Sequence, residues 1–345
     1  MPGAAFVLRE PTIMTMPTPQ CPHRMQVHSL HQETPDVWSL NLICPDFYPY
    51  RPGQYALVSI GASAETLRAY TLSSTPGLSP FITLTVRRIA DGLGSGWLTR
   101  QVKPGDYLWL SPAQGDFTCP QPGADAYLML AAGCGVTPII AMTRWLLLHR
   151  PTNDIALIYA VRSPRDIIFA AEWRRLAAAY PRLQLILLAE NDASGAILPG
   201  RLSQAVLAQV ANLPARTVMI CGPAPYMRQA QNLVNELGVA AHQIHLERFQ
   251  PETANTPRDG TLRIRSCSHP GDYRAAVGST LLSAMEQNQL PVQAACRAGV
   301  CGCCKTRILR GDYRVGSTQT LTAEEIAQGY VLACCCQLNG DVELA

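Results

Sequence analysis

Apolar runs along the chain fall into three successive patterns, and each predicts a different kind of layer. From residue 25 to about residue 119 the runs are short: 25–31, 38–43, 55–60, 69–73, 82–88 and 107–110 read as strands. Turns such as Pro52-Gly53, Pro76-Gly77 and Pro104-Gly105 separate them. Short, evenly spaced strands with little helix between them predict a small antiparallel barrel. From residue 126 the pattern changes. Four apolar strands (126–131, 155–161, 183–189, 217–221) alternate with helical runs at 139–149, 167–180 and 202–211, and a further run at 226–237 follows the last of them. Buried strands alternating with helices predict a doubly wound parallel sheet. The third pattern follows a polar, proline-containing stretch at 250–260. It places strands at 261–266 and 272–277, a helix at 279–288, then strands at 306–309, 330–334 and 341–344. Thr322-Ala323-Glu324-Glu325 is a capping-box pattern for a short helix within this part.

The expected organisation is therefore a tail over 1–20, a barrel over 21–122, an α/β domain over 123–249, a tether over 250–260 and a last domain over 261–345. The tail reads as disordered, and Met14 and Met16 are candidate start residues. A chain of 345 residues with 48% apolar and 15% charged positions has enough material for such cores. A net charge of +3 and the lack of any lysine/arginine run argue against nucleic acid as a partner. The most membrane-like stretch, 127–149, is broken by Gly133, Gly135, Pro138 and Arg144. It predicts a strand, a turn and a helix rather than a membrane span. The first 16 residues lack the basic-then-apolar order of a secretion signal.

Cysteine usage sharpens the picture. Of 13 cysteines, seven lie between Cys296 and Cys336. Cys296, Cys301 and Cys304 stand at C-x4-C-x2-C, and Cys334 follows after 29 intervening residues. That is the plant-type [2Fe–2S] spacing, in which each iron takes two thiolates beyond the bridging sulfides. A zinc knuckle pairs two C-x2-C units, and only one such unit stands here. Cys303, Cys335 and Cys336 fill no ligand slot, although Cys335 or Cys336 is an alternative to Cys334. Thiols kept reduced for a cluster point to the cytoplasm.

Two further constellations belong to cofactors. In Arg68-Ala69-Tyr70-Thr71, strand alternation sends Arg68 and Tyr70 to one side and Thr71 to the other. An arginine two residues before a tyrosine suits a phosphate beside a flat ring. The later Asp91-Gly92-Leu93-Gly94-Ser95 is a glycine-rich turn opening a helix, whose free N–H groups also suit a phosphate. In the α/β domain the first strand ends in Gly133-Cys134-Gly135-Val136-Thr137-Pro138 and the last in Cys221-Gly222-Pro223. Both lie at the carboxyl ends of strands, where such sheets bind dinucleotides.

Together, Pro52-Gly53-Gln54-Tyr55, Arg-x-Tyr-Thr, Gly-x-x-Ser and the Gly-x-Gly-x-x-Pro and Cys-Gly-Pro pair resemble the ferredoxin–NADP⁺ reductase superfamily. The resemblance implies that Arg68 binds a flavin pyrophosphate, that Tyr70 stacks on the isoalloxazine, and that Thr71 lies near flavin N5. It carries the phosphate loop to Gly94 and Ser95, and adds Ala69, Val86 and Arg87 as flavin-side contacts. It places Cys221 near the nicotinamide, with Gly133, Cys134, Gly135, Thr137, Gly222 and Pro223 along the nucleotide. Glu247-Arg248-Phe249 resembles the family's terminal Glu-x-aromatic, which implies Phe249 against the flavin and Glu247 near the redox centre. Thr71, Cys221 and Glu247 are thus the candidate catalytic residues. Arg162-Ser163-Pro164-Arg165-Asp166-Ile167-Ile168-Phe169 resembles the corresponding segment of NADH-using members. Flavin, nicotinamide and ferredoxin modules in this order are similar to phthalate dioxygenase reductase-like proteins, whose last domain is a β-grasp.

A nicotinamide delivers two electrons as hydride and an iron–sulfur cluster takes one at a time, so a flavin must mediate. The implied cofactors are NADH, FAD (with FMN as the alternative) and a [2Fe–2S] cluster on Cys296, Cys301, Cys304 and Cys334. Within the superfamily, the Ala294-to-Thr306 segment resembles reductases of the hybrid-cluster protein, which implies that acceptor. The alternatives are an oxygenase reductase and, from another class, a non-catalytic [2Fe–2S] redox sensor. Arg297, Lys305, Arg307 and Arg310 predict a positive docking rim beside the cluster.

Overall fold

Alternation along the first six strands sends every second side chain inward and closes them around one apolar interior. The computed structural model describes residues 18–63, 66–249 and 259–345. The tail and tether expectations fall mostly outside these residues. Strands β1 (His23–Thr34), β2 (Val37–Ile43), β3 (Tyr55–Ser59), β4 (Leu67–Thr71), β5 (Ile82–Arg87) and β6 (Tyr107–Leu110) form an antiparallel sheet in the order β4-β3-β6-β1-β2-β5. A bridge between Leu72 and Leu84 joins its two edges and makes a barrel. Met25, Val27, Leu40, Ala56, Val58, Leu108 and Leu110 fill its interior. The neighbouring residues Leu57, Leu67 and Trp109 face outward, yet they are buried. Helix α1 (Leu93–Arg100) follows β5.

The second sheet is wholly parallel. Strands β7 (Ala126–Ala132), β8 (Asp154–Val161), β9 (Leu183–Ala189), β10 (Ile197–Pro199), β11 (Thr217–Cys221) and β12 (Ile244–Glu247) lie in the order β10-β9-β8-β7-β11-β12. Helices α2 (Val136–His149) and α3 (Ala170–Ala179) cover one face. The short α4 (Gln204–Leu207) and α5 (Ala224–Glu236) cover the other. The chain reverses its order between β7 and β11, so the switch point of the sheet lies at the ends of those two strands.

The last unit has strands β13 (Thr261–Ser266), β14 (Tyr273–Ala276), β15 (Lys305–Val315), β16 (Tyr330–Leu332) and β17 (Cys336–Leu344), ordered β14-β13-β17-β15-β16. Only β13 and β17 run parallel. Helix α6 (Leu281–Gln287) contributes Leu281, Leu282, Ala284 and Met285 to the core beneath the sheet, and α7 (Ala323–Ala327) is capped by Thr322. The barrel, the parallel sheet and the one-helix mixed sheet bear out the expected fold class.

Several elements depart from the expected pattern. The run at 167–180 becomes α3 only from Ala170, because Phe169 takes a left-handed conformation (φ 61°) and resets the chain direction. The run at 202–211 keeps its apolar spacing, with Leu202, Val206, Leu207 and Val210 in the core, but only one turn of it is helical. β15 is far longer than 306–309, since most of its side chains are exposed and give no apolar alternation. Among the described residues, no helix is long and apolar enough to cross a membrane.

Candidate functional site

The two loops at the switch point press against each other. A Cβ added to Gly135 would lie 2.1 Å from the Cys221 carbonyl oxygen, so only glycine permits this approach. Thr137 Oγ1 donates to the Cys134 carbonyl at 2.9 Å and fixes the turn that leads into α2. Cys221 is fully buried and stands in register with Ala131 on one side and Glu247 on the other. Burial, followed by the nearby Glu247 carboxylate, pushes its thiol up, which keeps a neutral S–H at this point.

The tip of the Glu247 side chain is buried, and its Oε2 has no hydrogen-bond partner. Burial pushes this carboxyl up to about 8. Its field reaches the Tyr55 hydroxyl, which is itself pushed up to about 12, mainly by burial. Tyr55 stood in a motif of the sequence but was given no role there. Its hydroxyl accepts a hydrogen bond from Gln319 Nε2 at 3.3 Å, which joins the barrel to the last unit. The Pro52-Gly53-Gln54-Tyr55 motif was the available signal, but nothing local pointed to Gln319, 264 residues away.

On β4, Arg68 and Tyr70 pack against α1: a Cβ on Gly94 would lie 2.8 Å from Arg68 Cγ and 3.1 Å from the Tyr70 hydroxyl. Burial pushes the Tyr70 hydroxyl up to about 12. Thr71 is buried and stands opposite Tyr55. Ser95 Oγ is engaged within its own turn, accepting from the Ile89 N–H at 3.1 Å. Val86 belongs to the barrel interior. Arg87 instead reaches across to the nucleotide loop, where a Cβ on Gly133 would lie 3.2 Å from its Nη1. It is ion-paired with Asp36 at 3.2 Å, and Asp36 in turn lies 4.0 Å from the exposed Arg162. Gly222 packs on Ala132 and Tyr226, and Pro223 precedes α5 as its N-cap. Phe249 is 42% exposed.

The cluster-type cysteines are arranged in two couples. Cys304 and Cys334 have their sulfurs 3.4 Å apart, and Cys296 and Cys301 lie close enough for each to perturb the other's thiol. Two thiol pairs match a binuclear cluster, which takes two thiolates on each iron. Backbone N–H groups of Ala298 and Cys334 approach the sulfurs of Cys296 and Cys304 at 3.4 and 3.5 Å, as expected around such a cluster. The residues present therefore fit a [2Fe–2S] group. Cys335 lies 3.6 Å from Cys334, sulfur to sulfur, and Cys336 is fully buried.

This loop rests on the barrel. Ala295, just before Cys296, accepts hydrogen bonds at its carbonyl from Arg68 Nη1 (2.7 Å) and from the Leu67 N–H (3.3 Å). Leu57, Leu67, Ala69, Trp109 and Cys21 of the barrel side form one apolar patch with Ala295, Cys296, Ala298, Val300, Cys301 and Cys303. The expected positive rim needs correction, because its charges are largely spent internally. Arg297 pairs with Glu286, Lys305 with Glu325 and Arg310 with Glu343, while Arg307 donates to the Gln328 carbonyl at 2.9 Å.

Comparison with known proteins agrees with this layout. Residues 129–232 match the oxidoreductase NAD-binding domain, and residues 269–339 match the 2Fe-2S iron-sulfur cluster binding domain. The chain is 57% identical to the NADH oxidoreductase HCR of Escherichia coli, over 96% of this chain and 100% of that protein. It is 30% identical to a glycine betaine monooxygenase reductase subunit of Chromohalobacter salexigens, over 91% of this chain and 92% of the relative. The phthalate dioxygenase reductase structure superposes with a TM-score of 0.65 at 20% identity, covering 93% of this chain and 97% of the other, and so shares its fold.

Proposed function

The chain belongs to the family of the NADH oxidoreductase HCR, electron-transfer reductases that join an NAD-binding domain to a [2Fe–2S] domain, and on that premise we propose a residue-by-residue route through it. Electrons enter from NADH, pass by FAD and the cluster, and leave to the hybrid-cluster protein as acceptor. When bound, the flavin takes hydride and releases electrons singly, and the cluster carries them one at a time. Arg68, Gly94 and Ser95 hold the flavin phosphates, while Tyr70 covers the ring and Arg87 stands at the nucleotide loop; Val86 supports them from the barrel interior and Ala69 from the cluster-side patch. Thr71 faces the reacting edge. Gly133, Cys134, Gly135, Thr137, Arg162, Gly222 and Pro223 line the nucleotide. Cys221 supplies a small neutral wall against the nicotinamide, and Phe249 lies against the flavin. Glu247, with its carboxyl near 8, holds a proton beside the redox centre at neutral pH. Cys296, Cys301, Cys304 and Cys334 hold the cluster.

The observation that carries this reading is the pair of hydrogen bonds from β4 to the Ala295 carbonyl. The strand that bears the flavin residues touches the loop that bears the first cluster ligand, so an electron has a short bonded path between them. The units divide at 21–122, 123–249 and 261–345, and the reduced thiols suit a cytoplasmic setting. Greater identity to HCR than to the monooxygenase reductase subunit favours the hybrid-cluster protein over an oxygenase.

An anaerobic titration with NADH tests the route. Flavin absorbance should bleach and the electron paramagnetic resonance signal of a reduced [2Fe–2S] centre should grow. Added hybrid-cluster protein should then reoxidise both. If NADH bleaches the flavin but the cluster stays oxidised, the route is wrong. If both are reduced and only an oxygenase component reoxidises them, the acceptor is wrong.

A further inference from the structure

Strand β6 carries two outward aromatic residues with opposite fates. Leu108 and Leu110 fill the barrel, so Tyr107 and Trp109 face away from it. Tyr107 is 38% exposed beneath the Arg24 guanidinium, whereas Trp109 is only 7% exposed. What buries Trp109 is the apolar patch that it shares with Cys296, Cys301 and Cys303. An indole is placed in such a patch at a cost unless its N–H finds an acceptor, since a buried unpaired donor has lost its water and gained nothing in return. Trp109 Nε1 is buried and has no hydrogen-bond partner. The sulfur atoms in this patch are those of Cys21, Cys296, Cys301 and Cys303, and two of these cysteines are read as cluster ligands. The Ala295 carbonyl is already taken by Leu67 and Arg68.

We propose that Trp109 donates its indole N–H to a sulfur of the [2Fe–2S] cluster and so positions the cluster on the barrel and sets its potential. This rests on the reading of Cys296, Cys301, Cys304 and Cys334 as the ligands. A donor to a cluster sulfur stabilises the more negative reduced state and raises the reduction potential. Trp109 is the one tryptophan of five that belongs to the cluster-side patch, so its signature is separable from the others.

The test uses the full-length holoprotein, with Trp109→Phe to keep the ring and remove the donor. Cluster content should match the wild type, while the equilibrium ratio of reduced to oxidised cluster at a fixed poise falls about three- to tenfold; tenfold is about 59 mV for one electron. Separately, wild-type protein labelled with ¹⁵N-indole should show a nitrogen coupling to the reduced cluster in pulsed electron paramagnetic resonance. A potential that does not move overturns the proposal, as does an absent coupling. Should the variant not accumulate, the labelled wild type decides alone. If the wild-type protein shows no cluster signal at all, the ligand reading fails instead.

Discussion

The barrel makes two contacts, and they are built on different principles. Toward the parallel sheet it offers polar struts around an apolar footing. Arg144 reaches from α2 to the Ser73 carbonyl at 2.8 Å while its other nitrogens grip Glu172, and Thr75 Oγ1 donates to the Ala141 carbonyl at 3.2 Å. Asp36 bridges Arg87 and Arg162 beside them. Toward the cluster loop it offers an apolar patch with Arg68 as the charged side chain bonded across it. The first contact joins the barrel to the NAD-binding unit through polar side chains as well as apolar ones. The second joins the strand that bears Arg68 to the loop that bears Cys296, and apolar packing holds such a contact better than charges that solvent can loosen.

Substitutions can break or sharpen this contrast. The largest effect is expected on the cluster side: Cys304→Ser or Cys334→Ser should lower acceptor reduction on the order of 100-fold while NADH still bleaches the flavin. Stopped-flow measurement of the two steps separates them, and equal loss of both would mean that the two contacts are not independent. Next, Leu67→Ala should cost about 2–4 kcal/mol by opening a cavity in the dry patch, read by denaturant titration of the loaded protein. Arg144→Ala should cost about 1–3 kcal/mol in the same assay, by leaving the Ser73 carbonyl and Glu172 without their shared donor.

A pH effect comes after these. Glu247 has a folded value near 8 against an ordinary 4.5, so between those values the folded chain holds a proton that the unfolded chain has lost. Its favourable contribution is complete below about 4.5 and is gone above about 8. Glu247→Gln should therefore flatten the decline of stability across that window, and an unchanged slope in thermal melts would reject the assignment. Asp36→Asn should do least, within about 1 kcal/mol, because Asp36 is itself partly in water and its second partner, Arg162, is 69% exposed.

Much of this molecule was readable from residue order, and the exceptions have physical causes. Strands buried on both faces, such as β7 and β8, declare themselves by unbroken apolar runs. β15 did not, because its register against β17 shifts around Arg310 and Gly311 and its faces are polar. Cofactor residues clustered on one strand, as in Arg68–Thr71, were legible for the same local reason. The Tyr55–Gln319 and Arg68–Ala295 bonds were not, since 264 and 227 residues separate their partners and no periodicity spans such distances. Charge counts misled at the rim: Arg297, Lys305 and Arg310 look available in sequence, but each meets a carboxylate brought alongside by folding.

The 3.4 Å separation of the Cys304 and Cys334 sulfurs has a practical consequence. A disulfide needs its sulfurs about 2.05 Å apart, so a chain stripped of iron needs only a small shift for molecular oxygen to take two electrons from this pair and lock it shut. Aerobic storage of depleted protein should thus yield material that refuses iron and sulfide until a dithiol reagent has reopened the crosslink.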